Sequence, residues 1–271
     1  MTYKKKININ DLICLKRMCS YYNVNTVCIN AKCPNISECF NRGVITFLIL
    51  GKCCTRRCSF CAVDKISIPE SVNRNEPIQI VHILKKLKCS SSYIVITSVT
   101  RDDLKDGGAK HFADTITTIK TNVPNIKIEV LVPDFSGNTE LIKIVLDAQP
   151  SIFAHNLETV PELYSQVRNG SDYQRSINVL KYAKRLGFKI KTGLMLGLGE
   201  TTKQIVNVLH DIKNLNVDIV TIGQYLAPSK SHYPVIKEYS IEEFKLIKEF
   251  AVSLGIKRVI SGRYIRSSYS L

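Results

Sequence analysis

The sequence predicts an α/β protein built as a partial (β/α)6-type TIM barrel, with a cysteine-rich extension in front of it. Three observations carry this expectation. Short, continuously apolar runs recur from about residue 44 onward. Helical patterns with one apolar face lie between them. The first 43 residues do not share the alternation, and hold two short helical patterns followed by a loop dense in cysteine.

The apolar runs are Val44–Leu50, Tyr93–Val99, Ile126–Val132, Ser151–His155, Lys189–Leu196, Asp218–Gly223 and Ile256–Ile260. They lack the strict alternation of a half-exposed strand, so they suit parallel strands covered on both faces. Ile80, Val81, Ile83, Leu84 and Leu87 share one helical face. Ile205, Val206, Leu209, Ile212 and Leu215 share another, and Phe244, Ile247, Phe250, Ala251 and Leu254 a third. Strand and helix in alternation give repeated βα units. A doubly wound open sheet is the runner-up, because periodicity alone does not separate it from a barrel. In a barrel, the loops after the strands form the active face.

The chain is 271 residues long and 45% hydrophobic, enough for one sizeable core. No apolar run reaches the roughly 18 residues of a membrane span. Lys4, Lys5 and Lys6 are followed by no apolar h-region, so no secretory signal is expected and the expected location is the cytoplasm. The net charge of +15 admits nucleic acid, membrane or an acidic protein as partner. Its lysines are scattered, however, and Lys, Asn and Ile are abundant throughout, which compositional drift also produces.

Ten cysteines are present, seven of them between Cys28 and Cys61. In a reducing compartment such a cluster points to metal rather than to disulfides. Cys54, Cys58 and Cys61, spaced C-x3-C-x2-C, follow the first apolar run directly, in the first βα loop. Three thiolates hold three irons of a cubane and leave the fourth open. Structural zinc needs four closed ligands, and a redox C-x-x-C leaves Cys54 unexplained. Cys28, Cys33 and Cys39, in CINAKCPNISEC, form a second set of three; here a zinc loop completed by a distant histidine competes. Cys14, Cys19, Cys53 and Cys89 have no partner at ligand spacing and read as spectators.

The first spacing resembles the signature of the radical S-adenosylmethionine superfamily, including an aromatic residue, Phe60, before the last cysteine. Both sets together resemble the lipoyl synthase family. GKCCTRRCSFC, ITSVTRDDLKDGGA, EVLVPDFSG, AHNLETVPELYSQVR, LMLGLGET, GQYLAPSKSHYPV and the closing RSSY are similar to that family's motifs, over about residues 25–270. Thr100 stands where the family has Asp, and Thr192 where it has Ser.

The resemblance implies residues 1–43 as an extension carrying auxiliary-cluster ligands, 44–262 as the barrel, and 263–271 as a tail closing over its mouth. It implies two 4Fe-4S clusters and two molecules of S-adenosylmethionine per lipoyl group. Cys54, Cys58 and Cys61 would hold the first cluster; Cys28, Cys33, Cys39 and Ser268 would hold the second, which donates sulfur. The implied reaction inserts sulfur at C6 and C8 of an octanoyl chain on a carrier lysine. Implied partners are octanoylated lipoyl domains of 2-oxoacid dehydrogenases, the glycine-cleavage H protein, and an electron donor such as flavodoxin or ferredoxin. The expected cofactor contacts are Phe60, Ser98, Asn156, Glu158, Gly197 and Gly199, with tight turns as the alternative for the glycines. Asp102 and Asp103 read equally as helix N-cap residues. Arg56 and Arg57 tune a cluster or face solvent. Arg168 and Arg263 meet a carrier, the cofactor carboxylate or solvent, and His155 and His232 read as ordinary histidines.

Two other functions remain open on the sequence. A tRNA methylthiotransferase also uses two clusters and suits a basic chain, although no RNA-binding module is expected after the barrel. A zinc-stabilised nucleic-acid-binding protein would have neither iron nor any need of S-adenosylmethionine.

Overall fold

A computed structural model describes residues 8–30, 33–65, 69–87 and 93–269. Cys89 and the first seven residues lie outside these. The extension folds as α1 (Ile9–Tyr21), β1 (Asn25–Thr26), α2 (Val27–Asn30) and α3 (Ile36–Asn41). β2 (Thr46–Ile49) follows, and then a small ribbon of β3 (Cys53–Cys54) and β4 (Asp64–Lys65). The remainder alternates: α4 (Glu76–Lys86), β5 (Tyr93–Ser98), α5 (Ala109–Asn122), β6 (Lys127–Leu131), α6 (Thr139–Asp147), β7 (Ile152–Ala154). Then come α7 (Tyr164–Val167), α8 (Tyr173–Arg185), β8 (Ile190–Leu196), α9 (Thr202–Asn214), β9 (Ile219–Gln224), α10 (Ile241–Ser253) and β10 (Val259–Gly262).

The main sheet runs β1-β2-β5-β6-β7-β8-β9-β10. All its pairs are parallel except β1 with β2, where Asn25 faces Leu48 and Thr26 faces Phe47. From β2 onward the spatial order follows the chain order without reversal. A doubly wound sheet must reverse at its switch point. Right-handed crossovers that always step the same way lay every helix on one face. Accordingly α4 packs on α5, α5 on α6, and α6 on α8. β1 and β10 are the two ends of the order, so the barrel is partial: six βα units and a closing seventh parallel strand.

The apolar runs become strands because both their faces are covered. β2 and β9 are buried along their whole length, and β8 at all but one residue. α9 and α10 each begin with a capping box, Thr201 with Gln204 and Ser240 with Glu243, which satisfies N–H groups the first turn would leave unpaired. One charged cluster sits inside the sheet. Lys191 Nζ of β8 donates to both oxygens of Glu129 of β6 at 2.9 Å, reaching across β7, and the Tyr93 phenol donates to the same carboxylate.

Candidate active site

The strand ends that carry the predicted site converge at one end of the barrel. At the end of β2 the chain turns through Leu50 and Gly51, both at positive φ, into the first cysteine loop. In β3, Cys53 is buried while its neighbour Cys54 is half-buried, as are Cys58 and Cys61; successive strand residues face opposite ways. Burial pushes the Cys58 thiol up to about 11, opposed by Arg168 and reinforced by Cys61, Glu158 and Cys54. Burial raises the Cys61 thiol too, with Cys54 again adding to it. The three sulfurs are therefore electrostatic neighbours in a desolvated niche, a setting that favours a metal cluster able to take up their negative charge.

A single arginine fixes this loop. Arg56, its side chain 8% exposed, donates to Asp102 through Nε at 2.9 Å and Nη2 at 3.0 Å. It donates to Asp134 through Nη1 at 2.8 Å and Nη2 at 2.6 Å. Thr55 adds bonds to the Thr100 carbonyl and Asp102. With the loop so held, the backbone N–H groups of Arg56 and Thr100 both point at Cys54 Sγ, each at 3.4 Å. Asp102 and Asp103 are not N-cap residues: Asp103 pairs with Arg101, and α5 starts later, behind Gly108.

A cavity of about 600 Å³ opens beside Cys61. Phe60, Cys61, Asn156 and Glu158 line one part of it, and Asn30, Pro34, Arg266 and Ser267 another. Asn156 Nδ2 donates to Glu158 Oε1 at 2.9 Å, which leaves Asn156 Oδ1 buried without a partner. A Cβ at Gly193 would lie 2.9 Å from that oxygen, so glycine is required for Asn156 to take this place. Ser98 Oγ is a second buried polar atom without a partner. An orphaned polar atom at a cavity, as Asn156 Oδ1 is, is what a polar cofactor would satisfy. Ser98, Gly197 and Gly199 do not line the cavity. At Gly197 the room a Cβ needs is filled by protein, with Gln224 Nε2 at 2.2 Å and the Lys237 carbonyl at 2.4 Å, and the Gly197 carbonyl accepts from Ile236 N at 2.8 Å.

Arg168 is buried and donates at 3.0 Å to Tyr164 Oη and to Ser176 Oγ, so it meets neither solvent nor a carrier. Arg263 pairs with Glu238 at 3.1 Å. His155 is buried, with Nδ1 2.9 Å from the Val132 carbonyl, and burial pushes it down to about 3. His232 lines the cavity and reaches the Cys61 carbonyl at 3.2 Å. Gly193, Met195, Gln224 and Tyr225, not among the predicted site residues although the last three lie within the LMLGLGET and GQYLAPSKSHYPV motifs, also line the wall.

The second cysteine set is more helical than the sequence suggests: Cys28 lies in α2, Cys39 in α3, and Cys33 between them. Cys28 is pushed up to about 11 and Cys39 to about 12 by burial, with Cys33 adding to both. Cys19, read as a spectator, lies near Cys28, and burial pushes it up to about 12. The C-terminal tail runs against this set. The Tyr264 carbonyl accepts from Asn35 Nδ2 at 2.6 Å, and Tyr269 donates to Glu38. Ser268 sits between those contacts.

Among the described residues no three His, Cys, Asp or Glu side chains are gathered tightly enough to share one metal ion.

A family model described as the Radical SAM superfamily matches residues 48–212. A lipoyl synthase of Caldicellulosiruptor saccharolyticus is 51% identical, over 91% of this chain and 86% of its own length. A lipoyl synthase of Buchnera aphidicola subsp. Baizongia pistaciae is 50% identical, over 99% of this chain and 85% of its own. Among solved structures, methylornithine synthase (PylB) superposes with a TM-score of 0.61 at 18% identity, over 96% of this chain and 76% of that one, a likeness of fold. These relatives favour neither the tRNA-modifying nor the zinc-binding alternative.

Proposed function

The chain belongs to the lipoyl synthase family of the radical SAM superfamily, and we propose that it inserts sulfur at C6 and C8 of an octanoyl chain carried on a lipoyl-carrier lysine. One observation supports this above the rest: a single cavity touches the first cysteine loop on one side and the second loop with the tail on the other. Hydrogen abstraction and sulfur donation must meet at the same carbon, and one shared chamber meets that need.

Cys54, Cys58 and Cys61 would hold the first 4Fe-4S cluster, leaving one iron for the amino and carboxylate groups of S-adenosylmethionine. Cys28, Cys33, Cys39 and Ser268 would hold the second. When bound, the first cluster supplies the electron that opens S-adenosylmethionine for hydrogen abstraction, and the second supplies the sulfur. Asn156 Oδ1 would accept from a cofactor hydroxyl, with Glu158 orienting the amide through their 2.9 Å bond. Phe60 would border the cofactor. Leu194, Met195, Leu226 and Ile265 give the chamber an apolar wall for an alkyl chain and keep water from the reacting carbons. The substrates are octanoylated lipoyl domains of 2-oxoacid dehydrogenases and the glycine-cleavage H protein; flavodoxin or ferredoxin supplies electrons.

Asn156→Ala removes the free acceptor without touching a cysteine. It is expected to weaken S-adenosylmethionine binding about tenfold, as loss of one buried hydrogen bond does. Equilibrium binding to the iron-loaded protein checks this, with iron content unchanged; an unaltered Kd contradicts the contact. The net charge of +15 suits an acidic carrier. Raising salt should slow modification of an intact lipoyl domain far more than of a short octanoyl-lysyl peptide, because screening acts on the long-range attraction. Equal salt effects would leave the charge without a role in docking. The reaction itself is tested by product stoichiometry: two 5′-deoxyadenosines should form per lipoyl group. Cofactor cleavage that never couples to carrier modification would point to another substrate.

A further inference from the structure

The tail forms a tight turn whose two central residues are Ser267 and Ser268, closed by Tyr269 N donating to the Arg266 carbonyl at 2.9 Å. Both ends of this turn are tied to the second cysteine loop. Before it, the Tyr264 carbonyl takes its bond from Asn35, a buried residue two places after Cys33. After it, the Tyr269 phenol donates to Glu38, the residue before Cys39. These ties cross 229 and 231 positions of sequence. A third constraint comes from below. Gly223, in β9, has no Cβ, and one built there would lie 2.1 Å from the Ile265 carbonyl, so only glycine lets the tail lie this close. Arg266 Nη1 steadies the same stretch through the Ile265 carbonyl at 2.8 Å.

We propose that Asn35 and Glu38 are positioning residues: they ligate no iron but grip the tail on either side of Ser268 and present its hydroxyl to the three cysteines of the second set. This rests on the reading of Ser268 as the fourth ligand. The grip makes that ligand replaceable. A serine on a short tail, positioned by hydrogen bonds on either side, can leave the cluster and return without unfolding the barrel, whereas the three cysteines are built into helices and their connecting loop.

The test uses the anaerobic holoprotein with S-adenosylmethionine bound and no reductant, so that the open iron of the first cluster is covered. A chelator then strips the most labile iron of the second cluster, and the resulting three-iron signal is followed by electron paramagnetic resonance. Glu38→Ala and Tyr269→Phe should each speed that loss by about tenfold, the expected effect of removing a hydrogen bond to a charged group. Their double variant should be no faster than the faster single one, since both break the same bond, while Glu38→Ala also removes a carboxylate 3.9 Å from Arg42. Glu38→Gln still accepts from the phenol and should stay close to the unaltered protein. Gly223→Ala, acting from the opposite side, should speed the loss as well. Hydrogen exchange over residues 263–269 should rise in the same variants and in Asn35→Ala. Unchanged rates in Glu38→Ala and Tyr269→Phe, beside a fast Ser268→Ala, would overturn the grip and leave the serine ligand standing. A Glu38→Gln protein as fast as Glu38→Ala would also overturn it, because charge and not the hydrogen bond would then be acting. An unchanged Ser268→Ala would remove the ligand reading and the grip with it.

Discussion

Arg56→Ala should yield a protein that melts roughly 10 °C lower and retains little iron on its first cysteine set. The reason lies in Asp134, which is fully buried. Burial pushes its carboxyl up, but the hydrogen bonds and charge of Arg56 outweigh that and hold it well below the usual carboxylate range. Removing the arginine leaves Asp134 with Arg175 at 3.3 Å as its remaining cation. Breaking one side of a buried pair costs about 3–5 kcal/mol. The same change frees the loop from Asp102, and with it the two N–H groups aimed at Cys54 Sγ. Arg56→Lys keeps the charge but cannot reach both carboxylates at once, so it should fall between. The sign of the pH effect follows from the lowered carboxyl: the stabilisation is present at neutral pH and is lost as pH falls through the folded-state value. The gap in melting temperature between the unaltered protein and Arg56→Ala should therefore narrow in strong acid. Calorimetry across pH, with iron counted per chain, checks both parts. Full iron loading in Arg56→Ala would show that the loop needs no clamp.

Separating the two cysteine sets gives the second large effect. Cys58→Ala should abolish cleavage of S-adenosylmethionine, because two thiols no longer hold the cluster that opens it. Cys39→Ala should still release 5′-deoxyadenosine, yet leave the carrier without added sulfur. The cavity meets the first set at Cys61 and the second only through the nearby loop residues Asn30 and Pro34, and the two sets share no residue, so the losses should be independent. Chromatography of the nucleoside and mass spectrometry of the carrier read them apart. Cleavage lost in both variants, with the first cluster intact in Cys39→Ala, would contradict separate roles.

Much of this architecture is legible in the chain. The strand runs are continuous and apolar because both faces of a barrel strand are covered, and their centres match β2 and β5 through β9. The last differs: Ile256–Ile260 reads as apolar, but the strand is Val259–Gly262, since pairing of Ile260 with Thr221 and Gly262 with Gly223 sets its register. Spacing alone groups six cysteines into two sets of three, with a zinc loop still competing for the second. β1 is not, being two residues long and defined by its partner strand. Nor could adjacent arginines be told apart. Arg56 is buried between two aspartates 46 and 78 positions away while Arg57 is exposed, and tertiary packing decides between them. Gly197 reads as room for a ligand, but the chain itself fills that room with the carbonyl of Lys237. The ties from Asn35 and Glu38 to the tail are likewise invisible until the fold brings the two ends together.

Sulfur insertion as proposed requires two iron–sulfur clusters that share one chamber. Anaerobic reconstitution, with iron and sulfide counted, followed by mass spectrometry of an octanoyl-lysyl peptide after adding S-adenosylmethionine and reductant, tests it most directly. Two 4Fe-4S clusters per chain and a peptide carrying two added sulfurs is the predicted result. Zinc in place of iron, or two clusters and cofactor cleavage with no sulfur on the peptide, would contradict it.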